Sequence, residues 1–177
     1  MALMVKNRHA SSLAASRSGA AVLDQYIHVQ TPARVLPATT TDQIFRVKGG
    51  RVLVKVLLGE VTTICSGTAT TLKVTSKKLD AASAAVGTAV DVASATAVTS
   101  KEVGSLLTVE GDGTGLIVND AGAGLPGTGA GYWIAPQGEI YLTTSATNTG
   151  ATKWDLWYLP LDEGAYVDPV VTATAAI

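Results

Sequence analysis

The sequence predicts an all-β protein, an antiparallel β-sandwich or jelly-roll-like barrel with an extended N-terminal arm. Residues 42–161 consist of short apolar or alternating runs separated by Gly, Ser, Asn and Asp, at intervals typical of sandwiches and barrels. Two of these runs meet at Gly49 and Gly50. The first 41 residues hold too few large apolar side chains to form a core. We therefore expect an arm over residues 1–41, a sandwich domain over 42–161 and a tail over 162–177.

The composition predicts one domain that is part of an assembly. A chain of 177 residues suits a single hydrophobic core. Hydrophobic residues make up 47% and charged residues only 15%, a balance that leaves apolar surface for other subunits to cover. The net charge of −1 argues against nucleic acid as the main partner, because phosphate neutralisation needs clustered Lys and Arg.

No pattern in the sequence predicts a disulfide, a membrane span or a cofactor. Cys65 is the single cysteine, and its strand-like neighbours predict a buried structural thiol. No run approaches the roughly 20 apolar residues of a membrane-spanning helix. The N-terminal residues lack the uninterrupted apolar segment of a secretory signal, so we expect the chain to fold in the cytosol where it is made.

Residues 1–41 predict an arm that becomes ordered by lying on a partner. Basic residues outnumber the single acid, Asp24, and Pro32 and Pro37 favour extended backbone before them. A short helix over residues 20–29 is one alternative, and a disordered tail is another. The candidate partner-binding residues are those that supply charge or an aromatic ring: Lys6, Arg8, Arg17, Tyr26, Arg34 and Trp157.

Residues 43–63 organise the predicted sandwich. The second run, over residues 52–58, is apolar on both sides and rich in β-branched residues, which predicts a central strand buried on both faces. Adjacent glycines tolerate the positive φ of a primed turn, so Gly49 and Gly50 predict a hairpin. The first run predicts a strand with one face toward water, because two sets of residues alternate along it: Phe45 and Val47 against Ile44, Arg46 and Lys48.

Further short runs complete the predicted sheets. Lys77, Lys78 and Asp80 are expected to turn the chain. Residues 81–99 are compatible with a helix, but the spacing of their valines around Gly87 favours a strand after a loop. The further candidate strands are residues 69–75, 86–93, 105–109, 115–118, 131–135, 139–145 and 152–159.

The final predicted strand alternates on two apolar faces. Pro160 cannot donate to a ladder and marks its end or a sheet edge. The small apolar residues of the tail, 162–177, form a second candidate for contact with a neighbouring subunit. Period-two alternation separates the two faces of the strand: Trp154, Leu156 and Tyr158 against Trp157 and Leu159.

No set of residues predicts catalysis, and we expect no enzyme activity. His9 and His28 both lie in the arm, away from any acid cluster, where nothing rigid would hold a base against a nucleophile. The glycines of residues 111–115 resemble a phosphate-binding loop. No lysine follows them, however, and a strand rather than a helix comes next, so a tight hairpin turn is favoured.

Two binding alternatives remain open at this point. The acids Glu110, Asp112 and Asp120 could gather around calcium, although the twelve-residue hand pattern is absent. A sugar-stacking platform is the second alternative, although packing in the core or at an edge is favoured for the aromatic residues concerned: Trp133, Trp154, Trp157 and Tyr158.

Three motifs carry a resemblance to a known family. They are IFRVKGGRVLVKVLLGEVTT at residues 44–63, TATTLKV at 68–74 and TNTGATKWDLWYLPLDEGAYV at 147–167. Together they resemble small β-rich proteins encoded among the head genes of tailed bacteriophages, the head decoration (capsid cement) and head-fibre proteins. The resemblance covers residues 42–167 and implies a β-sandwich, commonly trimeric, that binds the major capsid protein on the exterior of the virion and ties neighbouring capsomers together.

We therefore expect a structural virion protein, made in the host cytoplasm, with the arm as its anchor on the major capsid protein. No specific nucleic acid and no membrane are expected as partners. Two rival classes stay open: a tail-tube or tail-terminator subunit, which would assemble into hexameric rings, and a glycan- or receptor-binding module on the virion surface, which would use exposed aromatic residues such as Trp133 and Trp157.

Overall fold

The computed structural model describes residues 26–38, 40–120 and 132–171. This part of the chain contains twelve strands and no helix, which confirms the predicted all-β class. The strands are β1 (Ile27–Gln30), β2 (Arg34–Val35), β3 (Thr41–Lys48), β4 (Val52–Thr63), β5 (Thr71–Lys78), β6 (Val90–Ala97), β7 (Leu106–Val109), β8 (Ile117–Asn119), β9 (Trp133–Ala135), β10 (Gly138–Thr144), β11 (Ala151–Pro160) and β12 (Tyr166–Pro169).

The strands form two antiparallel sheets that pack face to face, as the sandwich prediction requires. Sheet A has the strand order β1-β11-β4-β7-β8, with β2 also on β11 and β9 also on β4. Sheet B has the order β12-β3-β10-β5-β6. The central strand β4 lies between β11 on one side and β7 and β9 on the other, and the chain passes repeatedly from one sheet to the other.

The core lies between the inner faces of the two sheets. Trp154, Leu156 and Tyr158 of β11 point into it and are at most 2% exposed, as the alternation predicts. The register places Gly59 of β4 opposite Trp154. A Cβ at Gly59 would lie 2.8 Å from the Trp154 ring, so glycine leaves the room that the indole occupies. Each buried aromatic residue removes ~150–250 Å² from water, which makes this pairing a major part of the core.

The predicted hairpin at Gly49 and Gly50 is wrong, because β3 and β4 belong to different sheets. Both glycines do adopt positive φ, at 72° and 144°. They use it to turn the chain through a corner between the sheets, where a Cβ at Gly49 would lie 2.2 Å from the carbonyl oxygen of Gly164. The positive φ of Gly49 therefore allows its backbone to lie close to that of Gly164, and it does not form a primed turn.

A second corner, residues 161–165, packs against the first one as the chain passes from β11 to β12. Asp162 accepts three hydrogen bonds from Arg51: from the backbone N at 2.7 Å, from Nε at 3.0 Å and from Nη2 at 2.8 Å. The amide of Leu161 donates to the Arg51 carbonyl at 3.0 Å. These contacts clasp the two corners together. The hydrogen bonds from Arg51 lower the pKa of Asp162 from its ordinary 3.8 to about 2.

The hydroxyl of Tyr158 ties the same two strands across the core. It accepts a hydrogen bond from the backbone N of Val167 at 3.2 Å, which joins β11 of sheet A to β12 of sheet B. Tyr158 is 2% exposed and Val167 is 3% exposed, so this bond is made away from water. A buried hydroxyl with a partner fixes the distance between the sheets at this end.

Two details of the predicted strands need correction. Ile44 is 1% exposed and does not face water beside Arg46 and Lys48, because a bulge opposite β10 shifts the register between Gln43 and Phe45. The second face of β4, predicted to be buried, is only half-buried: Leu53, Val56 and Leu58 lie on the outward side of sheet A.

The borders of the predicted arm and tail also need correction. Within residues 1–41, β1 and β2 both pair with β11, and β3 begins at Thr41. The helix over residues 20–29 is wrong where the structure describes the chain, since residues 27–29 lie in a strand. In the tail, β12 pairs with β3. These segments complete the edges of the chain's own sheets; residues 1–25 and 172–177 lie outside the described part.

Residues 81–99, which the sequence left open between helix and strand, contain strand β6. This strand follows an irregular loop and starts at Val90, later than the predicted residue 86. Lys77 and Lys78 belong to β5 and do not turn the chain. The turn is made at Asp80, whose carboxylate accepts a hydrogen bond from the backbone N of Ala84 at 2.8 Å. Gly87 in this loop has a φ of 75° and open space around it.

The corner at Gly49 yields a prediction with a matched control. Gly49→Ala combines positive φ with a backbone clash, whereas Gly87→Ala has a similar φ and nothing within 4 Å. We expect Gly87→Ala to cost about 1–2 kcal/mol, the strain of left-handed backbone alone, and Gly49→Ala to cost at least about 2 kcal/mol more. Urea unfolding followed by tryptophan fluorescence measures both; equal losses would contradict the packed corner.

The Arg51–Asp162 clasp yields a prediction on acid stability. Because folding lowers the pKa of Asp162, its ionised form contributes stability above the ordinary value of 3.8, and this contribution is lost as pH falls toward about 2. Asp162→Asn should therefore destabilise the protein at neutral pH, and the difference from wild type should shrink over that acid window. Urea unfolding at a series of pH values measures it. A difference that stays constant down to pH 2 would refute the ionised clasp.

Candidate interaction surface

The outward face of sheet A is apolar and aromatic over its centre. Residues of β11 that alternate with the core set point outward, and the register pairs them with apolar residues of β4. Five apolar side chains are half-buried, although the described part of the chain provides no third layer over this face: Trp157 beside Val56, Leu159 beside Leu53, and Leu58. Leu58 is paired in the register with Asp155, which is buried. We call this set the sheet A face.

A small polar cluster holds the edge strand β1 onto this face. The imidazole of His28 stacks on the indole of Trp157, with ring centroids 4.4 Å apart and planes inclined by 20°. His28 Nε2 also lies 2.7 Å from Asp155 Oδ1, and Gln30 Nε2 donates to the same oxygen at 2.7 Å. Asp155 is only 9% exposed, so these partners replace the water that its carboxylate loses.

Strand β9 extends the sheet A face toward the opposite edge. Ile134 pairs with Leu53 in the register and is 57% exposed. Next to it Tyr132 is 62% exposed, and Lys55 Nζ lies 5.6 Å from the centre of its ring, a distance suited to a cation–π interaction. The face therefore runs from β1 to β9 as one apolar surface with a few charges fixed at its borders.

The outward face of sheet B has the opposite character. Ion pairs cross it, Lys48 to Asp168 at 2.8 Å and Lys73 to Asp91 at 3.1 Å. The register also places Glu139 of β10 between Arg46 of β3 and Lys77 of β5. A face covered by charged side chains is well solvated, whereas a half-exposed apolar face gains free energy when a partner covers it. Sheet A carries an ion pair of its own, Lys153 to Glu60 at 2.8 Å, but this pair lies toward the start of β11, away from Trp157 and Leu159. The stretch around Trp157 and Leu159 is therefore the better contact surface.

The predicted partner-binding residues have different outcomes. Lys6, Arg8 and Arg17 lie outside the described residues. Tyr26 precedes β1 and is half-buried, and Trp157 lies on the sheet A face, as a contact residue should.

Arg34 is engaged within the chain itself. Its guanidinium lies 3.3 Å from the Asp42 carboxylate and donates to the Gln43 carbonyl at 2.8 Å. Desolvation by burial lowers the pKa of Arg34, and the nearby Asp42 carboxylate opposes that effect. A partner would have to break these contacts to reach the side chain, so Arg34 is better described as fixing β2 beside β3.

Sequence patterns do not identify His28 as a site residue, and the prediction that His28 lies away from any acid is wrong. The sequence places it in the arm, away from acids, but folding brings it to Asp155, which is 127 residues later in the chain. No local sequence pattern predicts a contact between residues so far apart in the chain. Once β1 is known to pair with β11, the register alone places His28 opposite Trp157.

The acids considered as an alternative for calcium, Glu110, Asp112 and Asp120, do not form a cluster in the described structure. Among residues 26–38, 40–120 and 132–171 no group of three His, Cys, Asp or Glu side chains could hold a metal ion. Asp112 instead accepts hydrogen bonds from the hydroxyl of Thr114 at 2.6 Å and from its backbone N at 2.9 Å, and these bonds lower the pKa of Asp112. Asp120 pairs with Lys101 at 2.8 Å.

The glycine-rich residues 111–115 form the loop of a β-hairpin, as predicted in preference to a phosphate site. Strands β7 and β8 pair on either side of it. The loop is longer than a tight turn, because Gly115 forms a bridge with Ser94 of sheet B. Cys65 is buried, as predicted, and desolvation by burial raises the pKa of its thiol.

Comparisons with protein-family models, with curated proteins and with solved structures find no match to this chain. In the described residues, no helix is long and apolar enough to cross a membrane.

Proposed function

We propose that this chain is a structural virion protein of a tailed bacteriophage that decorates the exterior of the capsid by binding the major capsid protein, without catalysing a reaction. The observation that carries the proposal is the contrast between the two outward faces. Around Trp157 and Leu159 the outward face of sheet A is apolar and half-exposed, with the Lys153–Glu60 ion pair farther along β11, whereas two ion pairs cross the outward face of sheet B. The resemblance of residues 42–167 to head decoration and head-fibre proteins supplies the identity of the partner.

The apolar composition of the sheet A face suits a stable protein contact. Specific interfaces bury about 800 Å² on each partner, and the apolar part of such an area contributes roughly 25 cal/mol per Å² before the costs of association. Decoration repeats one contact many times over a shell, so modest affinity at each site is enough for firm retention.

The rigid attachment of β1 favours a contact made by the sandwich itself. A preformed face loses little conformational entropy on binding. The stacked rings of His28 and Trp157 and the two bonds to Asp155 hold the aromatic part of that face in place. In this proposal the basic residues of the arm add a second contact with the capsid protein.

We further propose a homotrimer as the unit that binds the shell. The rival tail-tube or tail-terminator role predicts a hexameric ring, and light scattering behind a sizing column separates the two by mass. A glycan-binding role has less support, because Trp133 is only 9% exposed and one face of the Trp157 ring is already covered by His28.

The decoration proposal predicts that one charge on the sheet A face abolishes binding. Leu159→Glu places a carboxylate among apolar residues of that face, and Tyr166→Glu places the same group on sheet B, where Tyr166 is 44% exposed. We expect Leu159→Glu to weaken binding to undecorated shells of the encoding phage by at least about tenfold. Tyr166→Glu should bind as wild type does.

Co-sedimentation with shells at increasing protein concentration measures both variants, after unfolding curves show that each is folded. A third variant without residues 1–25 tests the arm. Undiminished binding of that variant would refute the arm as anchor, and equal binding by the two glutamate variants would refute the sheet A face as the contact surface.

A further inference from the structure

A cleft of about 230 Å³ opens on the flank of the sandwich where β6 of sheet B faces β9 of sheet A. Exposed aliphatic residues stand on both sides of it: Val90 is 62% exposed and Ile134 is 57% exposed. Pro136 and Val92 continue the apolar lining, and Lys78 lies at the rim. Because Ile134 also belongs to the sheet A face, the cleft is continuous with the proposed contact surface.

Trp133 lines this cleft with a donor that has no acceptor. Its side chain is buried, and its indole nitrogen Nε1 has no hydrogen-bond partner in the described part of the chain. Gly111 packs directly on the ring, since a Cβ there would lie 2.1 Å from Cδ1 of Trp133. Nε1 is closed off from solvent, so an occupant of the cleft meets the ring of Trp133 and does not reach this donor.

The backbone beside the cleft is an open strand edge. In the described residues β6 pairs with β5, and on its other side Ser94 forms a bridge with Gly115 in the loop before β8. Gly113 donates to the Val92 carbonyl at 3.4 Å, and Ser94 donates to the Thr114 carbonyl at 2.8 Å. For residues 88–91 the described structure shows no backbone bond on that side. An open edge of this kind accepts an added strand.

Lys78 places a positive charge at the rim of the cleft, where it can pair with an acidic side chain. Its side chain is exposed, and none of the ion pairs in the described part of the chain includes it. Pockets for drug-sized molecules and cofactors usually measure about 300–1,000 Å³. A volume of about 230 Å³ is smaller, and suits one aliphatic side chain with its backbone.

We propose that this cleft binds an extended, acidic segment of a partner protein. The segment lies along residues 88–91 of the β6 edge and places an aliphatic side chain between Val90 and Ile134. A neighbouring carboxylate of the segment pairs with Lys78 at the rim. The identity of the partner as the capsid protein rests on the proposed function; the chemistry of the segment does not.

The test uses the peptide acetyl-Thr-Ile-Asp-Thr-amide and NMR of the intact protein. The chain has three tryptophans, so three indole N–H signals are expected, and Trp133→Phe identifies the one from Trp133. We expect the Trp133 indole signal to shift and saturate as the peptide is added, because the ring lines the cleft that the aliphatic side chain enters. Replacing Asp by Lys in the peptide should weaken binding at least about fivefold.

Two valines provide a matched pair of variants. Val90→Asp places a carboxylate in the cleft, and Val103→Asp places one at a position that is 59% exposed but outside the lining. We expect Val90→Asp to weaken peptide binding at least about tenfold and Val103→Asp to leave it unchanged. A Trp133 signal that does not move up to about 10 mM peptide, or equal binding by both variants, would overturn the inference.

Shell binding separates this inference from the proposed function. A shift of the Trp133 signal in a protein that does not bind shells would support the cleft and refute decoration. Shell binding by wild type together with a Trp133 signal that stays in place would support decoration and refute the cleft.

Discussion

The two corners at residues 49–51 and 161–165 are the constraint on which the rest of the structure depends. At these corners β3 leads into β4 and β11 leads into β12, so each corner joins sheet A to sheet B. Arg51 and Asp162 hold them together through three hydrogen bonds, and Gly49 allows the backbones to touch. Because β4 pairs with β11 and β3 pairs with β12, one clasp sets the position of a strand pair in each sheet.

That constraint explains how one chain presents two different outward faces. With β11 and β4 fixed in register, Trp154 must point inward over Gly59, and Trp157 must point outward beside Val56. The same alternation on β3 and β5 sends basic residues outward on sheet B. A sandwich with one apolar and one charged face is suited to lie on a larger protein surface with its charged side toward water, and the proposed function takes this orientation as its basis.

The sequence predicts the features that depend on local alternation. Period-two patterns are enough to identify the all-β class, most strands and the two faces of β11. They do not identify which strands pair, so the hairpin at Gly49 was a wrong inference from a correct positive φ. Contacts between distant segments leave no local pattern either: the His28–Asp155 pair spans 127 residues, and the short edge strands β1 and β2 gain their order from β11 and not from their own propensity.

Electron cryo-microscopy of shells incubated with this protein tests the central claim most directly, because it shows which face lies on the capsid. We expect density from the major capsid protein against the sheet A face, around Trp157 and Leu159, with sheet B toward solvent. Density that leaves Trp157 and Leu159 facing solvent while the ion-paired face of sheet B lies on the shell would contradict it.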